Sequence, residues 1–177
     1  IKMIEIIKGA FDPKPFYENF IDNYEFVRKM QSNSDDDHEV RTWGKPLLYR
    51  PHGIEPKENI EEGWKPVWDI IKPQIQALTG HIKEPEVAYI NLFQHGDNSQ
   101  IHRDWADYTA ICYMNPDWNF NLGGETMFYR GDECIKCVLP IGGNVVVFNG
   151  DIDHRAGFVS SLAQEGRMGL TYMFNKV

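Results

Sequence analysis

The stretch PIGGNVVVFNG at residues 140–150 decides the architecture of the C-terminal half. Its four consecutive apolar residues, Val145 to Phe148, are typical of a short strand in a protein core. Gly142-Gly143 before the run and Asn149-Gly150 after it are turn signals, because glycine and asparagine adopt the backbone conformations that tight turns require. The stretch therefore predicts a core strand with a turn at each end.

The same pattern of short apolar runs separated by turn residues extends from residue 86 to the C-terminus. Further breaks are marked by Asn115-Pro116 and Gly123-Gly124. These signals predict about eight short strands. The predicted strands are Val87–Phe93, Gln100–Asp104, Tyr108–Met114, Thr126–Arg130, Cys134–Val138, Asn144–Phe148, His154–Val159 and Arg167–Phe174.

The N-terminal part shows helical patterns after an opening strand predicted at Ile4–Phe11. Asp12-Pro13 is a typical helix start, because aspartate caps the first turn and proline is tolerated at the first helical position. Apolar residues follow it at helical spacing, namely Phe16, Phe20, Tyr24 and Val27. A second amphipathic helix, with a bend at Pro73, is predicted from Trp64, Val67, Trp68, Ile71, Ile75 and Leu78.

A helical N-terminal part followed by many short strands indicates the fold class. We predict a mainly β protein in which a double-stranded β-helix, a cupin-like jelly roll, has N-terminal helices packed on one outer face. A chain of 177 residues is long enough to bury one sizeable core. We therefore expect a single domain, 1–177, with helical support from 1–85 and a jelly-roll core from 86–177. The acidic run at 35–37 is interpreted as a solvated loop.

The composition excludes several classes of protein. The formal net charge of -8 would repel a nucleic acid, and no dense basic cluster compensates for it. No apolar run approaches the roughly 20 residues of a membrane span, and the first residues lack the apolar stretch of a secretion signal. The three cysteines suggest a reducing compartment and argue against a disulfide framework. We expect a cytoplasmic protein, monomeric or weakly homodimeric, without nucleic-acid or membrane partners.

Two His-x-Asp triplets are candidates for metal ligation. Side chains two residues apart in a strand point the same way and can meet one ion, which fits His102 and Asp104 at the end of a predicted strand. The other triplet, His95-Gly96-Asp97, precedes that strand and is interpreted as a turn that hydrogen-bonds to itself.

His154 can supply a third ligand. It follows the turn at Asn149-Gly150, at the edge of the predicted core, where solvent can reach a metal. Two imidazoles and one carboxylate on one face of a metal leave adjacent positions open, as in non-haem Fe(II) sites. We predict that His102, Asp104 and His154 form a catalytic iron centre. A structural zinc site fits this set poorly, because it is usually closed by a fourth protein ligand.

Arg167 is a candidate anion-binding residue. Strand alternation places Arg167, Gly169 and Thr171 on one face, with the other face apolar. An arginine directed into a barrel is costly unless it meets an anion, and its planar fork matches a carboxylate. Thr109 and Tyr113 share a face by the same alternation, so the Tyr113 hydroxyl can reach that carboxylate. We group these residues, Thr109 and Thr171 included, around an organic acid cosubstrate. The alternative for Arg167 is an internal salt bridge.

The segment from Tyr89 to Phe174 resembles the catalytic core of the prolyl 4-hydroxylase-type 2-oxoglutarate and Fe(II)-dependent dioxygenases. The matching pieces, in the family's order, are His102-Arg103-Asp104, Tyr108 to Asn115, Gly123 to Thr126, Pro140 to Phe148, His154 and Arg167. Residues 114–118 are also similar to a segment of the animal oxygen-sensing prolyl hydroxylases. Two departures are that Phe93 stands where many relatives have tyrosine, and that the interval between His154 and Arg167 is longer than usual.

The resemblance implies that His102, Asp104 and His154 bind Fe(II), with 2-oxoglutarate and O2 as cosubstrates and ascorbate as a candidate reductant. It also implies that Arg167 and Tyr113 hold the distal carboxylate of 2-oxoglutarate. The expected reaction couples oxidative decarboxylation of 2-oxoglutarate to hydroxylation of a C–H bond. The expected substrate is a prolyl residue in a peptide or protein.

Three side chains are predicted to contact that substrate. Arg103 and Trp105 flank the ligands and are expected to line the mouth of the site. Trp43 lies in the segment Glu39–His52, which could form a lid over a bound peptide; the alternative is that Trp43 packs helices on the sheet. Trp64 and Trp68 are interpreted as packing residues between the helices and the sheet.

Two other functions fit the same sequence. A hydroxylase of a free amino acid or other small molecule would use the same ligands. A cupin-like metal-binding or sugar-binding module would keep the jelly roll without turnover, although Asp104 and Arg167 argue against it. Oxidative nucleic-acid demethylases are less similar, because they carry a second arginine where Met173 stands here. Cys134-x-x-Cys137 lacks a second cysteine pair and is interpreted as part of a strand.

Overall fold

The computed structural model describes residues 2–30, 42–49, 58–59, 62–97 and 99–177. Within these ranges the strands are β1 (Ile4–Ile7), β2 (Val27–Met30), β3 (Thr42–Tyr49), β4 (Glu58–Asn59), β5 (Val87–Phe93), β6 (Tyr108–Tyr113), β7 (Thr126–Arg130), β8 (Glu133–Val138), β9 (Val145–Asn149), β10 (Asp153–Ala156) and β11 (Arg167–Phe174). The helices are α1 (Lys14–Asn23) and α2 (Lys65–Thr79), with short 3-10 helices at Glu62–Trp64 and Phe120–Leu122. No helix in the described ranges has the length and apolar character needed to span a membrane.

Two antiparallel sheets build the jelly roll. The larger sheet has the order β1-β9-β6-β11-β5-β3-β2, with β4 paired to β3, and the smaller sheet has the order β10-β7-β8. Side chains of both sheets meet in one apolar cluster. That cluster contains Ile111, Tyr113, Val146 and Phe148 from the larger sheet and Phe128 and Val138 from the smaller one. The two sheets and their shared interior confirm the predicted fold class.

β9 is the core strand predicted from residues 140–150, and it lies between β1 and β6. Val145 and Val147 pack toward the helices, whereas Val146 and Phe148 face the smaller sheet. Both faces of the strand are buried, which explains why its sequence shows an apolar run without alternation. Burying each of these side chains contributes roughly 1.5–3 kcal/mol, so β9 anchors both layers of the core.

The two helices cover the outer face of the larger sheet. Trp68 and Ile71 of α2 share an apolar cluster with Ile90 of β5 and Tyr172 of β11. The Tyr172 hydroxyl donates a 2.6 Å hydrogen bond to the backbone carbonyl of Trp64. The predicted position of the helices is confirmed, and the two tryptophans pack them on the sheet.

The interpretation of Glu39–His52 as a lid is wrong for the residues described, because most of the segment forms β3. This strand lies inside the larger sheet, between β5 and β2. Its register to β5 shifts between Pro46 and Leu48, and both Leu47 and Leu48 are buried. The irregularity removes the period of two that would mark a strand in the sequence. The rest of the segment and the acidic run at 35–37 lie outside the described residues.

The first helix is shorter than its apolar spacing predicts. α1 ends at Asn23, and Tyr24 already has an extended backbone, with φ of -115° and ψ of 133°. Val27 belongs to β2, where it pairs with Gly44 of β3. Pairing between strands therefore overrides the helical spacing at Val27. α2 continues through Pro73 to Thr79.

Candidate metal centre and anion pocket

A short backbone bridge brings the three candidate metal ligands together. The segment Gln100–Asp104 is not the strand predicted from its sequence. It makes one isolated antiparallel bridge, in which His102 and His154 exchange two backbone hydrogen bonds of 3.0 Å. The Asp104 backbone N–H then donates to the Gly150 carbonyl at 2.8 Å, so pairing with β10 does not continue. The bridge fixes the backbone positions of the ligands beside the smaller sheet.

The three side chains converge inside the barrel. Nε2 of His102 lies 3.8 Å from Asp104 Oδ1, and Nε2 of His154 lies 3.6 Å from Asp104 Oδ2. One potential ligand atom from each residue lies within 4.8 Å of the others. No other group of three such side chains occurs in the part of the chain that the structure describes. The geometry is therefore compatible with one shared cation.

Backbone carbonyls orient both imidazole rings. Nδ1 of His102 lies 2.9 Å from the Gln100 carbonyl oxygen, and Nδ1 of His154 lies 2.9 Å from the Ile152 carbonyl oxygen. A carbonyl oxygen only accepts hydrogen bonds, so Nδ1 carries the proton in each ring and Nε2 keeps its lone pair. Contacts of this kind orient histidine ligands in metal sites.

Burial favours the neutral form of His154. Its ring packs against Phe148 and Phe128, with centroid distances of 4.6 and 6.2 Å. Loss of solvation lowers the pKa of His154, and the Asp104 carboxylate opposes this effect. The neutral imidazole is the form that binds a metal.

The Asp104 carboxylate is held by a neighbouring hydroxyl. Thr109 of β6 donates a hydrogen bond of 2.5 Å to Asp104 Oδ2. Strand alternation places Thr109 and Tyr113 on one face, but their hydroxyls have different partners. The Tyr113 hydroxyl is hydrogen-bonded to Thr126 and not to Asp104. Thr109 therefore positions the carboxylate among the candidate metal ligands.

Tyr89 and Thr171 form a polar pair near the same carboxylate. They stand opposite each other in β5 and β11, and their side chains are hydrogen-bonded. Burial and, secondly, the charge of Asp104 raise the pKa of Tyr89. Its neutral phenol can thus act as a donor in the interior. Tyr89 is absent from the predicted site, although alternation along β5 places it on the same face as Phe93.

Arg167 opens β11, and only 3% of the residue is exposed. Its Nη2 donates to the Thr126 hydroxyl at 3.0 Å, and that hydroxyl shares a 2.7 Å hydrogen bond with the Tyr113 hydroxyl. The guanidinium lies 5.3 Å from the ring centroid of Tyr113 and 5.6 Å from that of Phe93. The structure thus brings Arg167 and Tyr113 together through Thr126. Sequence reasoning missed Thr126, although it follows Gly123-Gly124 at the start of β7.

No carboxylate lies within salt-bridge distance of Arg167 in the described ranges, and the charge of Glu125 acts on the guanidinium only from farther away. Its Nε atom is buried and has no hydrogen-bond partner there. Burial lowers the pKa of Arg167, which the neighbouring Tyr113 opposes. The internal salt bridge considered as an alternative is not present among the described residues. A buried charge without a close counter-ion costs several kcal/mol, so the partnerless Nε atom is a candidate contact for an anion.

Two glycines keep space open beside the guanidinium. Gly124 has φ of +74°, and a Cβ there would lie 3.0 Å from Arg167 Cδ. A Cβ on Gly169 would lie 3.5 Å from Arg167 Nη1 and 3.4 Å from the Ile111 side chain. The interior face of β11 therefore runs from a cation at Arg167, across an open position, to the hydroxyl of Thr171. This face presents a charged donor and a hydroxyl to the same interior.

Arg103 and Trp105 flank the ligands at the surface. Arg103 is exposed and forms a two-point ion pair with Asp153, with N–O distances of 2.7 and 2.9 Å. Trp105 is 47% exposed. Both side chains are therefore placed outside the buried cluster, where a substrate can approach.

The structure does not bring Trp43 to this site. Trp43 pairs with Leu92 of β5, and Leu92 packs against the helix-covered face of the larger sheet. Its neighbour Phe93 faces the interior and contacts Arg167. Paired residues of adjacent strands share a face, so Trp43 lies on the opposite side of the sheet from the anion pocket.

The second His-x-Asp triplet is a self-bonded turn, as interpreted. Asp97 Oδ2 accepts a hydrogen bond from the Gln94 N–H at 2.8 Å, and the Asp97 N–H donates to the Gln94 carbonyl at 3.0 Å. Nδ1 of His95 lies 3.0 Å from the Val159 carbonyl oxygen. These contacts separate the turn from the metal centre.

Comparison with protein-family models and with curated proteins gives no match. Solved structures, however, match over nearly the whole chain. An oxidoreductase of the 2OG-Fe(II) oxygenase family from Burkholderia pseudomallei has a TM-score of 0.72 at 14% identity, covering 97% of this chain and 84% of that one. A Trichoplax adhaerens prolyl hydroxylase in complex with a hypoxia inducible factor oxygen degradation domain peptide fragment has a TM-score of 0.65 at 15% identity, covering 97% and 82%.

A third solved structure shows a different reaction on a similar fold. SnoN, a non-haem α-ketoglutarate-dependent epimerase from nogalamycin biosynthesis, has a TM-score of 0.67 at 12% identity, covering 99% of this chain and 77% of that one. α-Ketoglutarate is 2-oxoglutarate. The chain thus has the fold of the 2-oxoglutarate and Fe(II)-dependent oxygenases, and the resemblance to the prolyl hydroxylase type is confirmed at the level of fold.

Proposed function

We propose that this protein is a 2-oxoglutarate- and Fe(II)-dependent dioxygenase that hydroxylates a C–H bond. One observation carries the proposal. A single barrel interior contains the ligand cluster of His102, Asp104 and His154 together with a buried Arg167 whose Nε atom has no partner in the described ranges. A metal-binding module without a cosubstrate would have no use for the second feature, because a buried charge without a close counter-ion is destabilising.

The ligand set suits Fe(II). Two neutral imidazoles and one carboxylate can bind one face of the ion and leave positions for a cosubstrate and dioxygen. No fourth His, Cys, Asp or Glu joins the cluster within the described ranges, so a closed structural zinc site is not favoured. His102 and His154 would bind through Nε2, and Asp104 would contribute the negative charge.

The anion pocket suits the distal carboxylate of 2-oxoglutarate. The unpartnered Nε of Arg167 belongs to the planar fork that binds a carboxylate at two points. Burial raises the pKa of Tyr113 to about 12. Its hydroxyl is therefore protonated at neutral pH and can donate to the same carboxylate. Thr126 would hold the guanidinium of Arg167 and the hydroxyl of Tyr113 in place. Thr171 would extend the polar face toward the metal ligands.

The residues of the chain position the reactants and limit access of water. When bound, Fe(II) and 2-oxoglutarate supply the oxidising chemistry, in which 2-oxoglutarate is converted to succinate and carbon dioxide while dioxygen provides the oxygen atom for hydroxylation. Arg167 and Tyr113 would anchor the far end of the cosubstrate. Thr109 would keep Asp104 in its binding orientation, and the aromatic wall of Phe128 and Phe148 would keep the interior apolar.

We propose a prolyl residue in a peptide or protein as the substrate. The resemblance of residues 114–118 to animal oxygen-sensing prolyl hydroxylases supports this choice, as does the peptide complex of the Trichoplax adhaerens neighbour. Arg103 and the half-exposed Trp105 are the substrate contacts that we propose at the rim. A hydroxylase of a free amino acid or small molecule is the second candidate, favoured by the fold shared with the epimerase SnoN.

We propose that 1–177 acts as a single domain, monomeric or weakly dimeric, in the cytoplasm. A reducing cytoplasm would keep iron in the ferrous state, and ascorbate is the reductant we propose to include in assays.

The experiment that tests the proposal measures succinate and hydroxylated product together. Purified protein is incubated with Fe(II), 2-oxoglutarate, ascorbate and a library of proline-containing peptides. Matched peptides with alanine in place of proline, and free proline, are the controls. We expect succinate formation coupled to addition of one oxygen atom to proline peptides. Hydroxylation of free proline alone would select the second candidate. Iron binding without succinate under every condition would select a non-catalytic metal-binding module.

A further inference from the structure

Cys134 and Cys137 lie close together outside the proposed reaction. Both belong to β8, and both are exposed. Their Sγ atoms are 3.5 Å apart. Cys112, in contrast, is buried in β6, and burial raises the pKa of its thiol. The chain therefore contains one accessible thiol pair and one inaccessible thiol that serves as an internal reference.

An irregularity in β8 brings the two thiols to the same face. Residues three apart in a regular strand point to opposite sides. Here, however, the register with β7 shifts: Phe128 pairs with Lys136, and Tyr129 pairs with Cys134. Ile135 is left as an extra residue between these pairs. The bulge changes the parity of the strand, so that Cys134 and Cys137 project on the same side.

The bulge lies at the edge of the smaller sheet. β8 pairs with β7 alone among the described strands. A distortion at an edge disturbs one ladder of hydrogen bonds instead of two. The sulfur atoms can therefore approach each other without displacement of a second strand.

A metal site is a weaker explanation for the pair. Two thiols provide half of a tetrahedral zinc site. No third His, Cys, Asp or Glu lies close enough to form a group with them in the ranges that the structure describes. The chemistry that needs only the two cysteines is formation of a disulfide bond.

We propose that Cys134 and Cys137 form a reversible redox site, which closes an intramolecular disulfide across the β8 bulge. With glutathione disulfide as oxidant, one protein thiolate attacks a glutathione sulfur, breaks the glutathione S–S bond and forms a mixed disulfide. The second protein thiolate then attacks the protein sulfur of the mixed disulfide and releases the second glutathione. Two protein thiols are oxidised, and one glutathione disulfide is reduced to two glutathione thiols, which receive the two protons.

The test uses the full reduced chain with glutathione disulfide, followed by intact-mass measurement and quantification of released glutathione. For the native chain we expect two glutathione molecules released, the loss of about two mass units and no stable adduct. Cys134→Ser and Cys137→Ser should each release one glutathione and keep the other as an adduct. Cys112→Ser should behave as the native chain, and dithiothreitol should restore the reduced mass in every case.

Two results would overturn the inference. One is a stable glutathione adduct on the native chain, which would mean that the second thiol cannot reach the first. The other is a native chain that keeps both thiols reduced after the single-cysteine variants have reacted. Circular dichroism of the serine variants establishes that they remain folded. All readouts are independent of turnover, so the result does not depend on the proposed dioxygenase activity.

Discussion

The metal end and the anion end of the barrel interior are organised differently. At the metal end the chain supplies the orienting contacts itself, since backbone carbonyls hold His102 and His154 and the Thr109 hydroxyl holds Asp104. At the anion end, Arg167 has a hydroxyl partner for Nη2 but none for Nε in the described ranges. The first end is preorganised, whereas the second keeps one buried donor atom without a partner in those ranges.

Because of this difference, substitutions at the two ends should affect the stability and the function of the protein differently. A buried charge without a close counter-ion lowers the stability of the ligand-free protein, and under the proposed function the incoming carboxylate would offset that cost. Changes among the metal ligands should therefore remove activity without a gain in stability. A change at Arg167 should remove cosubstrate binding while sparing the ligand-free fold. The variants below compare the effects of substitutions at the metal end and at the anion end on metal binding and cosubstrate binding.

The largest effect is expected from loss of a metal ligand. His102→Ala should abolish turnover and weaken metal binding by more than the roughly 10–100-fold typical of outer contacts, because a direct ligand is lost. Succinate formation and anaerobic Fe(II) titration measure the two effects. The matched control is His95→Ala, which alters the other His-x-Asp triplet and should retain metal binding. Equal losses in both variants would contradict the assignment of ligands.

The next largest effect is expected at the anion end. Arg167→Met removes a charge whose loss from a buried pair typically costs 2–5 kcal/mol, so the KM for 2-oxoglutarate should rise by roughly 30-fold or more, with iron still bound. In the native chain, saturation at 100 times Kd stabilises by about 2.7 kcal/mol. The variant should lose this stabilisation, while its ligand-free Tm is unchanged or higher. Thermal unfolding with a redox-inert divalent metal, with and without 2-oxoglutarate, provides the measurement.

The opposite result at Arg167 would be equally informative. Unchanged KM for 2-oxoglutarate, combined with a large drop in the ligand-free Tm, would identify the arginine as a structural residue. That outcome would also remove the observation on which the proposed function depends.

A smaller effect is expected when the outer contact of Asp104 is removed. Thr109→Val keeps the shape of the side chain but deletes the hydroxyl that bonds to Oδ2. Metal affinity should fall by about 10–100-fold, while the KM for 2-oxoglutarate at saturating Fe(II) stays the same. Anaerobic metal titration and steady-state kinetics separate the two quantities. A raised KM at saturating metal would show that Thr109 belongs to the anion end.

The smallest effect is expected for the corresponding threonine-to-valine substitution at the anion end. Thr126→Val removes the hydroxyl between Arg167 and Tyr113. The bond from Arg167 to Thr126 is charge-assisted, and such bonds are worth about 1.5–3 kcal/mol. Because Thr126 acts on the cosubstrate only through Arg167 and Tyr113, we expect part of this free energy to be lost from binding, which should raise the KM for 2-oxoglutarate by roughly 2–10-fold with metal affinity unchanged. If the two ends are independent, the double variant with Thr109→Val should show additive effects. Strong coupling would mean that the ends form one unit.

Several elements could be predicted from sequence because local signals suffice for them. β5, β7 and β11 begin and end where the apolar runs and turns predict. β3 could not be predicted, because its register shift after Pro46 hides the period of two. Thr126 and Tyr89 were missed for another reason. A single hydroxyl-bearing residue in a strand does not form a recognisable sequence motif. Its role depends on which residue of the partner strand lies opposite.

The sequence by itself determined the chemistry of the candidate site: two imidazoles, a carboxylate and an arginine, in the order and strand parity that resemble a known family. These are local properties, since side-chain type and a strand's period of two act over a few neighbouring residues. Only the tertiary structure decided that His154 meets His102 across a bridge, that Nε of Arg167 has no hydrogen-bond partner in the described ranges, and that a bulge brings two thiols together. Register, burial and charge pairing depend on contacts between residues distant in the chain, which a local pattern does not encode.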